Sequence, residues 1–503
     1  MLQQGLTPTL SNVRAPGSGG GPQADPATDL APWQPSGSDT WDRAKAAHLM
    51  RRAGFGATPE EADAIVALGM DRTVDFLLTA PTTGLQEYGT QILPSGEILN
   101  LNFTATAQRA QLLYEAASSP YPLREKMTLF FLDHFSVGSE NINDLPLKIP
   151  HSNIFRRHGL GSFRQMLVEV TRDPAMLLWL DNYINGQPVS GVPKINENYA
   201  REIQELYTIG VTGGYTQNDV VEAAKCLSGW GLNGLNQFIY RSTWHVNGPK
   251  TFSAIYGNKV INSGGQQEAF DLIDMLLVAN PTAEYLVTKI WEFFVSEKPY
   301  PALVTMLANR FRQDGNNFRS LMNIILRSNF FYSSAARRQL VKNPVEFTVG
   351  AIRSTSTPIG NYKQVSTLVQ AMGWALFGYG NPAGLPDGIA WISTQSVIAR
   401  ANYAAELTQV SNGAGNANSI QPVFDPFREV VTKNLTTAEA IVDHYLKILV
   451  DDDVPFAVRL NLYDFMNRSD KGLDPFVLTS AKVNEKVRGL VHLIMSLPEF
   501  QMN

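Results

Sequence analysis

Apolar residues recur at helical spacing, between legible start and stop signals, along most of this 503-residue chain; no other feature constrains its fold as much. In "ATPEEADAIVALG", Thr58 is placed as an N-cap, Pro59 at the first helical position, Glu61 to close a capping box and Gly69 as the stop. "PLREKMTLFFLDHF" sets Met127, Phe130, Phe131 and His134 at i, i+3, i+4 and i+7, one helix face. "DPAMLLWLDN", "TAEYLVTKIWEFFVS", "ALVTMLANRFRQDG" and "SLMNIILRSNFFY" follow the same period. The expected fold class is therefore mainly α, a large multi-helix orthogonal body. One β exception interrupts it: "QFIYRSTWHVNGPKTFSAIYG" carries Asn247-Gly248 between two runs rich in β-branched and aromatic residues, which predicts a hairpin flap near residues 237–257.

The chain is longer than one core usually serves, so the expected division is a leader, a body, a linker and a tail. The Gly-, Pro- and Ser-rich residues 1–38 predict a disordered leader, with "GSGGG" a linker because no Gly-Lys-Ser/Thr follows it. Residues 39–410 form the main helical domain, and 411–435, containing "SNGAGNANSIQPVFDP", a loop or linker. Residues 436–503 form a C-terminal helical lobe packed on the main domain and opened by a Thr436–Glu439 capping box.

Composition excludes several function classes. A net charge of −5 without a polybasic stretch predicts no nucleic-acid partner. The single cysteine, Cys226, rules out an intramolecular disulfide framework and a cysteine-based zinc cluster, and its apolar context predicts a core position. No run of 18 uncharged apolar residues predicts a membrane span, and no secretory signal is visible at the start. HExxH, GxSxG, Walker A and a nucleotide-binding GxGxxG in strand-turn-helix context are all absent.

The most polar helical stretch is "NENYAREIQELYTIG", residues 196–210. On a helical wheel Asn198, Arg201, Glu202 and Glu205 share one face while Ile203, Leu206 and Ile209 lie toward another. Two readings stand. One is a solvated face with Glu197–Arg201 and Arg201–Glu205 pairs; the other is an inward cluster with Glu202 or Glu205 as acid, base or metal ligand and Arg201 as an anion clamp. Among seven histidines, His48 sits three residues before Arg51 on a helix, and His245 lies beside the expected hairpin turn. A lone helical histidine is more often a hydrogen-bonded core residue. The adjacent Asp133 and His134 do not imply a dyad.

Six stretches, "AHLMRRAGFGATPEE", "PLREKMTLFFLDHFSV", "FRRHGLGSFRQMLVEVTRDPAMLLWLDN", "NENYAREIQELYTIGV", "YTQNDVVEAAKCLSGW" and "HVNGPKTF", together resemble in order and spacing the bacterial domain of unknown function 1800 family, across about residues 40–410. The resemblance implies a mostly helical protein, export or an envelope location, and a sulfatase-like secreted protein as a neighbour and possible partner. It implies no established reaction. Positions matching the family pattern are His48, Arg51, His134, Asn182, Asn196, Asn198, Arg201, Glu202, Glu205, His245 and Lys250. Two departures are Leu132 and Val246, where the family carries His and Asp.

The resemblance turns the Asn198 face toward the buried reading. The expectation that follows is an acid–base or metal-assisted hydrolase of a polysaccharide or other anionic substrate. In it Asn198, Arg201, Glu202 and Glu205 act in catalysis, His48, His134 and His245 hold a divalent metal, and Arg51, Asn182, Asn196 and Lys250 contact substrate. The alternative is a non-catalytic envelope binding or scaffold protein, its polar motif a buried network that fixes helix register. A haem or redox role is the weakest option, because Met and aromatics at helical spacing are ordinarily core.

Overall fold

The helix signals that the sequence carries are realised as written at several places. Thr58 caps the Pro59–Leu68 helix, Glu61 closes the box, and the chain leaves at Gly69 with φ 87°. A computed structural model describes residues 25–102, 104–138, 146–409, 418–469 and 471–503. Within them the protein is mainly α, and every sheet is a two-stranded antiparallel pair. No described helix is long and apolar enough to cross a membrane.

Two helices run through the middle. Every residue of Pro122–His134 is buried except Asp133, and every residue of Pro344–Ser354 except Ser354. The sequence pattern marked one apolar face on the first of these; the structure buries it on all sides, so its polar residues must find partners inside. They do. Lys126 pairs with Glu346 of the second central helix, and Glu125 with Arg124 and Arg156, both at 2.8 Å. Phe131, Phe135 and Phe155 stack along the same axis, with Phe318 edge-on to Phe131.

The hairpin is displaced from its expected place. Trp230–Leu232 pairs with Phe238–Tyr240, turning through 233–237 with Asn236 at φ 55°, while Lys250–Thr251 pairs instead with Val260–Ile261. Asn247-Gly248 therefore turns the chain between strands that do not pair with each other. The cause lies in the buried groups on either side: Val246 N–H donates to Ser228 Oγ at 2.9 Å, and His245 and Lys250 are drawn onto Glu268 of the Gln267–Val278 helix. Those buried polar contacts outweigh the local turn preference.

Both expected flexible segments contain structure. Residues 25–38 belong to the packed body: Asp25 caps a Pro26–Asp29 turn of helix, Leu30 and Trp33 are buried, and Trp33 lies against Trp41 and Tyr332. The two tryptophans outweigh the Gly and Pro content; residues 1–24 lie outside the described region. The expected 411–435 linker includes a Pro426–Thr432 helix capped by Asp425, a cap-plus-proline signal that the loop reading passed over. Residues 410–417 lie outside the described region. The next helix, Ala438–Val450, is capped by Thr437, one residue beyond the expected Thr436.

The C-terminal segment shares the main core. Arg488–Ser496 packs on Thr394–Thr408 and Ala438–Val450, and one continuous apolar cluster runs from Leu30 to Phe500. Lys342 N–H donates to the Gln501 carbonyl and Asn503 N–H to the Leu340 carbonyl, each at 2.8 Å. Arg51, near the start, holds Asp451 with two hydrogen bonds of 3.0 and 2.5 Å.

Candidate functional site

The end of the central Pro122–His134 helix opens into a cleft. Asp133 is its one residue not buried, and Asp133 and His134 line a small pocket with Phe130, Lys289, Glu292, Phe293 and Asp387. Glu292, Phe293 and Asp387 also line an adjoining cleft of about 250 Å³, shared with Glu297, Asn343, Glu346, Gly388 and Trp391. The two spaces share Glu292, Phe293 and Asp387 as one acidic groove, whose inner part, about 20 Å³, has room for a water only. Four pieces of chain build it: the helix just named, residues 280–297 carrying Lys289, Glu292 and Glu297, residues 340–346 at the start of the second central helix, and the loop from Asn381 to Trp391.

That loop is fastened to the helix end. Ser136 Oγ donates to the Asn381 carbonyl at 3.0 Å, and Leu385 N–H to Asp133 Oδ1 at 3.0 Å. Two left-handed glycines let its backbone lie on carboxylates. A Cβ on Gly384, at φ 80°, would meet Asp133 Oδ2 at 2.7 Å, and one on Gly388, at φ 65°, would meet the Glu297 carboxyl at 2.6 Å. Asp387 is thereby held between the two.

Charge in the groove is poorly compensated. Glu346 is paired with Lys126, but among the described residues Asp133, Glu292, Glu297 and Asp387 have no Lys or Arg within ion-pair distance. Burial, reinforced by Asp387, raises the Asp133 carboxyl to about 7; the Leu385 amide and Lys289 oppose this without cancelling it. Glu292 and Asp387 are raised too, by burial first and then by neighbouring carboxylates. Asp387 stands at the mouth, open to solvent on one side yet enclosed enough by protein to lose hydration.

His134 supplies the opposite shift. Burial, with the charge of Lys289, lowers its pKa to about 3, so the ring is neutral. Its Nε2 lies 3.1 Å from the Tyr207 carbonyl, which can only accept, so the proton is on Nε2 and Nδ1 carries a free lone pair. Nδ1 has no partner.

The sequence-derived candidates lie in separate places. The Asn198 face is not buried: Asn198 is exposed and Arg201, Glu202 and Glu205 are half-exposed, while Tyr199, Ala200, Ile203 and Gln204 pack inward. The wheel was right about a distinct polar face, and the burial inferred for it does not hold because the apolar side is sufficient to seat the helix. Arg201 is occupied by Glu197 at 3.1 Å and Gln217 at 2.8 Å. Tyr215 donates to Glu205. Glu202 is raised to about 7 by burial and then by Glu205. Tyr285 lies between this patch and the groove, its hydroxyl held on the Leu206 carbonyl at 2.8 Å and its pKa raised by burial and by both Glu292 and Glu205.

The three histidines do not meet. His48 Nε2 is 2.8 Å from the Phe331 carbonyl, His134 faces the groove, and His245 Nε2 is 3.0 Å from Glu268 Oε1, with Nδ1 2.9 Å from the Ser228 carbonyl. Among the described residues no three His, Cys, Asp or Glu side chains are arranged to hold a metal ion. The donors expected for a divalent metal are thus dispersed. Lys250 is buried against Glu268 at 2.5 Å. Asn182 donates to the Trp230 carbonyl and accepts from Asn185, both at 3.1 Å; Asn185 Oδ1 accepts from the Asn196 amide at 3.0 Å. Arg51 is engaged by Asp451. Beside it, a pocket of about 30 Å³ has room for no more than a water. Cys226 is buried as expected, and burial raises its thiol pKa.

A family model described as "Protein of unknown function (DUF1800)" matches residues 48–502, nearly the whole chain. The chain belongs to the DUF1800 family. No curated protein and no solved structure is significantly similar to it. The DUF1800 match spans the groove from Asp133 to Trp391 and the Arg51–Asp451 clasp alike, so the family region and the continuous core coincide. Sequence reasoning reached His134 but missed Lys289, Glu292, Glu297 and Asp387. The available signals were Lys289 and Glu292 at i and i+3 on one helix, and "GLPDG", a turn sequence with an acid inside it.

Proposed function

We propose that the protein is an acid–base hydrolase whose reaction takes place at Asp133, with a polysaccharide as substrate. What carries this reading is the convergence on one groove of four carboxylates with no ion-pair partner among the described residues, one of them with its pKa near 7. A carboxyl that keeps its proton near neutrality can give it to a glycosidic oxygen, while an ionised neighbour such as Glu292 activates water or stabilises the developing positive charge. The groove's uncompensated charge supports a neutral or cationic chain over an anionic one, and Arg201, already occupied by Glu197 and Gln217, offers no anion clamp.

The test is release of reducing ends from a panel of purified polysaccharides. Asp133→Asn and Glu292→Gln should each lower the rate about a hundredfold or more while leaving the circular dichroism unchanged. Full activity in both variants would remove the groove from the mechanism. Loss in Glu202→Gln alone would move the reaction to the patch across Tyr285.

A second reading, a non-catalytic envelope protein beside a sulfatase-like partner, draws support from Asn182, Asn185 and Asn196, which spend their hydrogen bonds on one another and on backbone. Export belongs to the same proposal under either reading.

A further inference from the structure

The groove presents hydrogen-bond acceptors and negative charge almost throughout. Asp133, Glu292, Glu297 and Asp387 have no cationic side chain at ion-pair distance among the described residues, and the lone pair of His134 Nδ1, on a side chain more than nine-tenths buried, meets no donor. Among the described residues Lys289 is the single cation lining this space; its Nζ lies 5.8 Å from the Tyr285 ring centroid. With Asp133 keeping its proton, Glu292, Glu297 and Asp387 against one ammonium still leave an excess that the protein does not neutralise. A ligand rich in donors and bearing positive charge would do so.

From this geometry we infer that the groove binds a saccharide chain bearing free amino groups, a de-N-acetylated amino-sugar polymer, with its ammonium groups placed among Glu292, Glu297 and Asp387. The inference deepens the hydrolase reading and rests on it for the choice of a saccharide. Trp391 lines the same cleft, its indole stacked on Trp374 and so held rigid, and Phe293 lines both parts of the groove. Aromatic walls with acceptors between them suit a sugar ring, with its apolar face and equatorial donors. The cleft of about 250 Å³ can take a monosaccharide unit, and two of its lining residues, Glu297 and Asp387, are exposed to solvent, so a chain can continue from it. These are the solvent-facing carboxyls, whereas Asp133 and His134 lie at the inner end. An acetylated sugar would place an uncharged amide where the carboxylates need a cation.

Calorimetric titration of the full chain with short glucosamine oligomers and their N-acetylated counterparts tests this, at a pH that keeps the amines protonated. The glucosamine oligomers should bind about tenfold tighter or more, and raising the salt should shrink the difference. Glu297→Gln and Asp387→Asn should each weaken that binding severalfold and leave binding of the acetylated oligomers unchanged. Equal or tighter binding of the acetylated oligomers, no binding of either, or tighter binding of oligolysine would each overturn the inference. Hydrolysis of acetylated chains without the preference would overturn it and leave the acid–base reading intact. Selective binding of the glucosamine oligomers with no hydrolysis of any polysaccharide would do the reverse.

Discussion

Asp133 and His134 are neighbours in sequence with opposite titration behaviour, because burial disfavours charge in both. The usual Asp value of 3.8 is raised to about 7 and the usual His value of 6.5 lowered to about 3. The two act on stability with opposite sign. Folding makes Asp133 hold its proton more tightly, so its contribution is complete below about pH 4 and is lost as pH rises toward 7; His134 contributes above about pH 6.5 and loses that contribution as pH falls toward 3. In Asp133→Asn the first loss disappears. Relative to the parent, this variant should gain stability steadily between pH 4 and 7 in urea titrations; parallel curves would show that the carboxyl is not perturbed. None of this was visible from the sequence, which gives Asp133 as an ordinary polar residue at a helix end. Its perturbation depends on Asp387, 254 positions away, and on the loss of water around it. Glu202 shows the converse: the wheel found its face, yet only packing determines how far that face is covered.

At the scale of elements, the helices were legible because caps and apolar period are local properties. Thr58, Pro59, Glu61 and Gly69 act where the sequence puts them, and Thr58→Ala should cost about 1 kcal/mol, measured as a shift in the denaturation midpoint. The Asn247-Gly248 turn misled because a hairpin signal gives the bend and not the partner strand; Glu268 decided that, through His245 and Lys250. The Asn381–Trp391 loop depends on backbone that no side-chain pattern reveals. Gly384→Ala combines a left-handed backbone with a Cβ driven into the Asp133 carbonyl at 2.8 Å, and should cost about 1–3 kcal/mol while displacing Asp387. Activity at the groove should fall much further than thermal stability does. At Gly388 the obstacle is the Glu297 carboxyl, the movable end of an exposed side chain, so Gly388→Ala should be milder in both respects. An equal penalty at the two positions would contradict the fastening described for this loop.

Across the whole molecule, the expected four-part division gives way to one continuous core, since helices near both ends of the described chain pack on the same central pair. Arg51 and Asp451 mark the closure. Against burial, which pushes the other way, Arg51 and then Arg338 hold the Asp451 carboxyl below its usual range. Removing the partner of a buried charge is costly, so Arg51→Ala should lose about 3 kcal/mol, with Arg338 at 3.4 Å limiting the damage. Unfolding by heat should remain a single transition in calorimetry. Two separated transitions would show that the C-terminal segment unfolds on its own.

The clasp also bears on how the chain is made. Its two residues are 400 positions apart, so at a synthesis rate of roughly 5–20 residues per second Arg51 leaves the ribosome about 20–80 seconds before its carboxylate exists. Throughout that interval the first-made helices present a guanidinium and an open apolar edge that nothing yet covers. For this fold, a helix end synthesised late is needed to stabilise a helix made some 400 residues earlier.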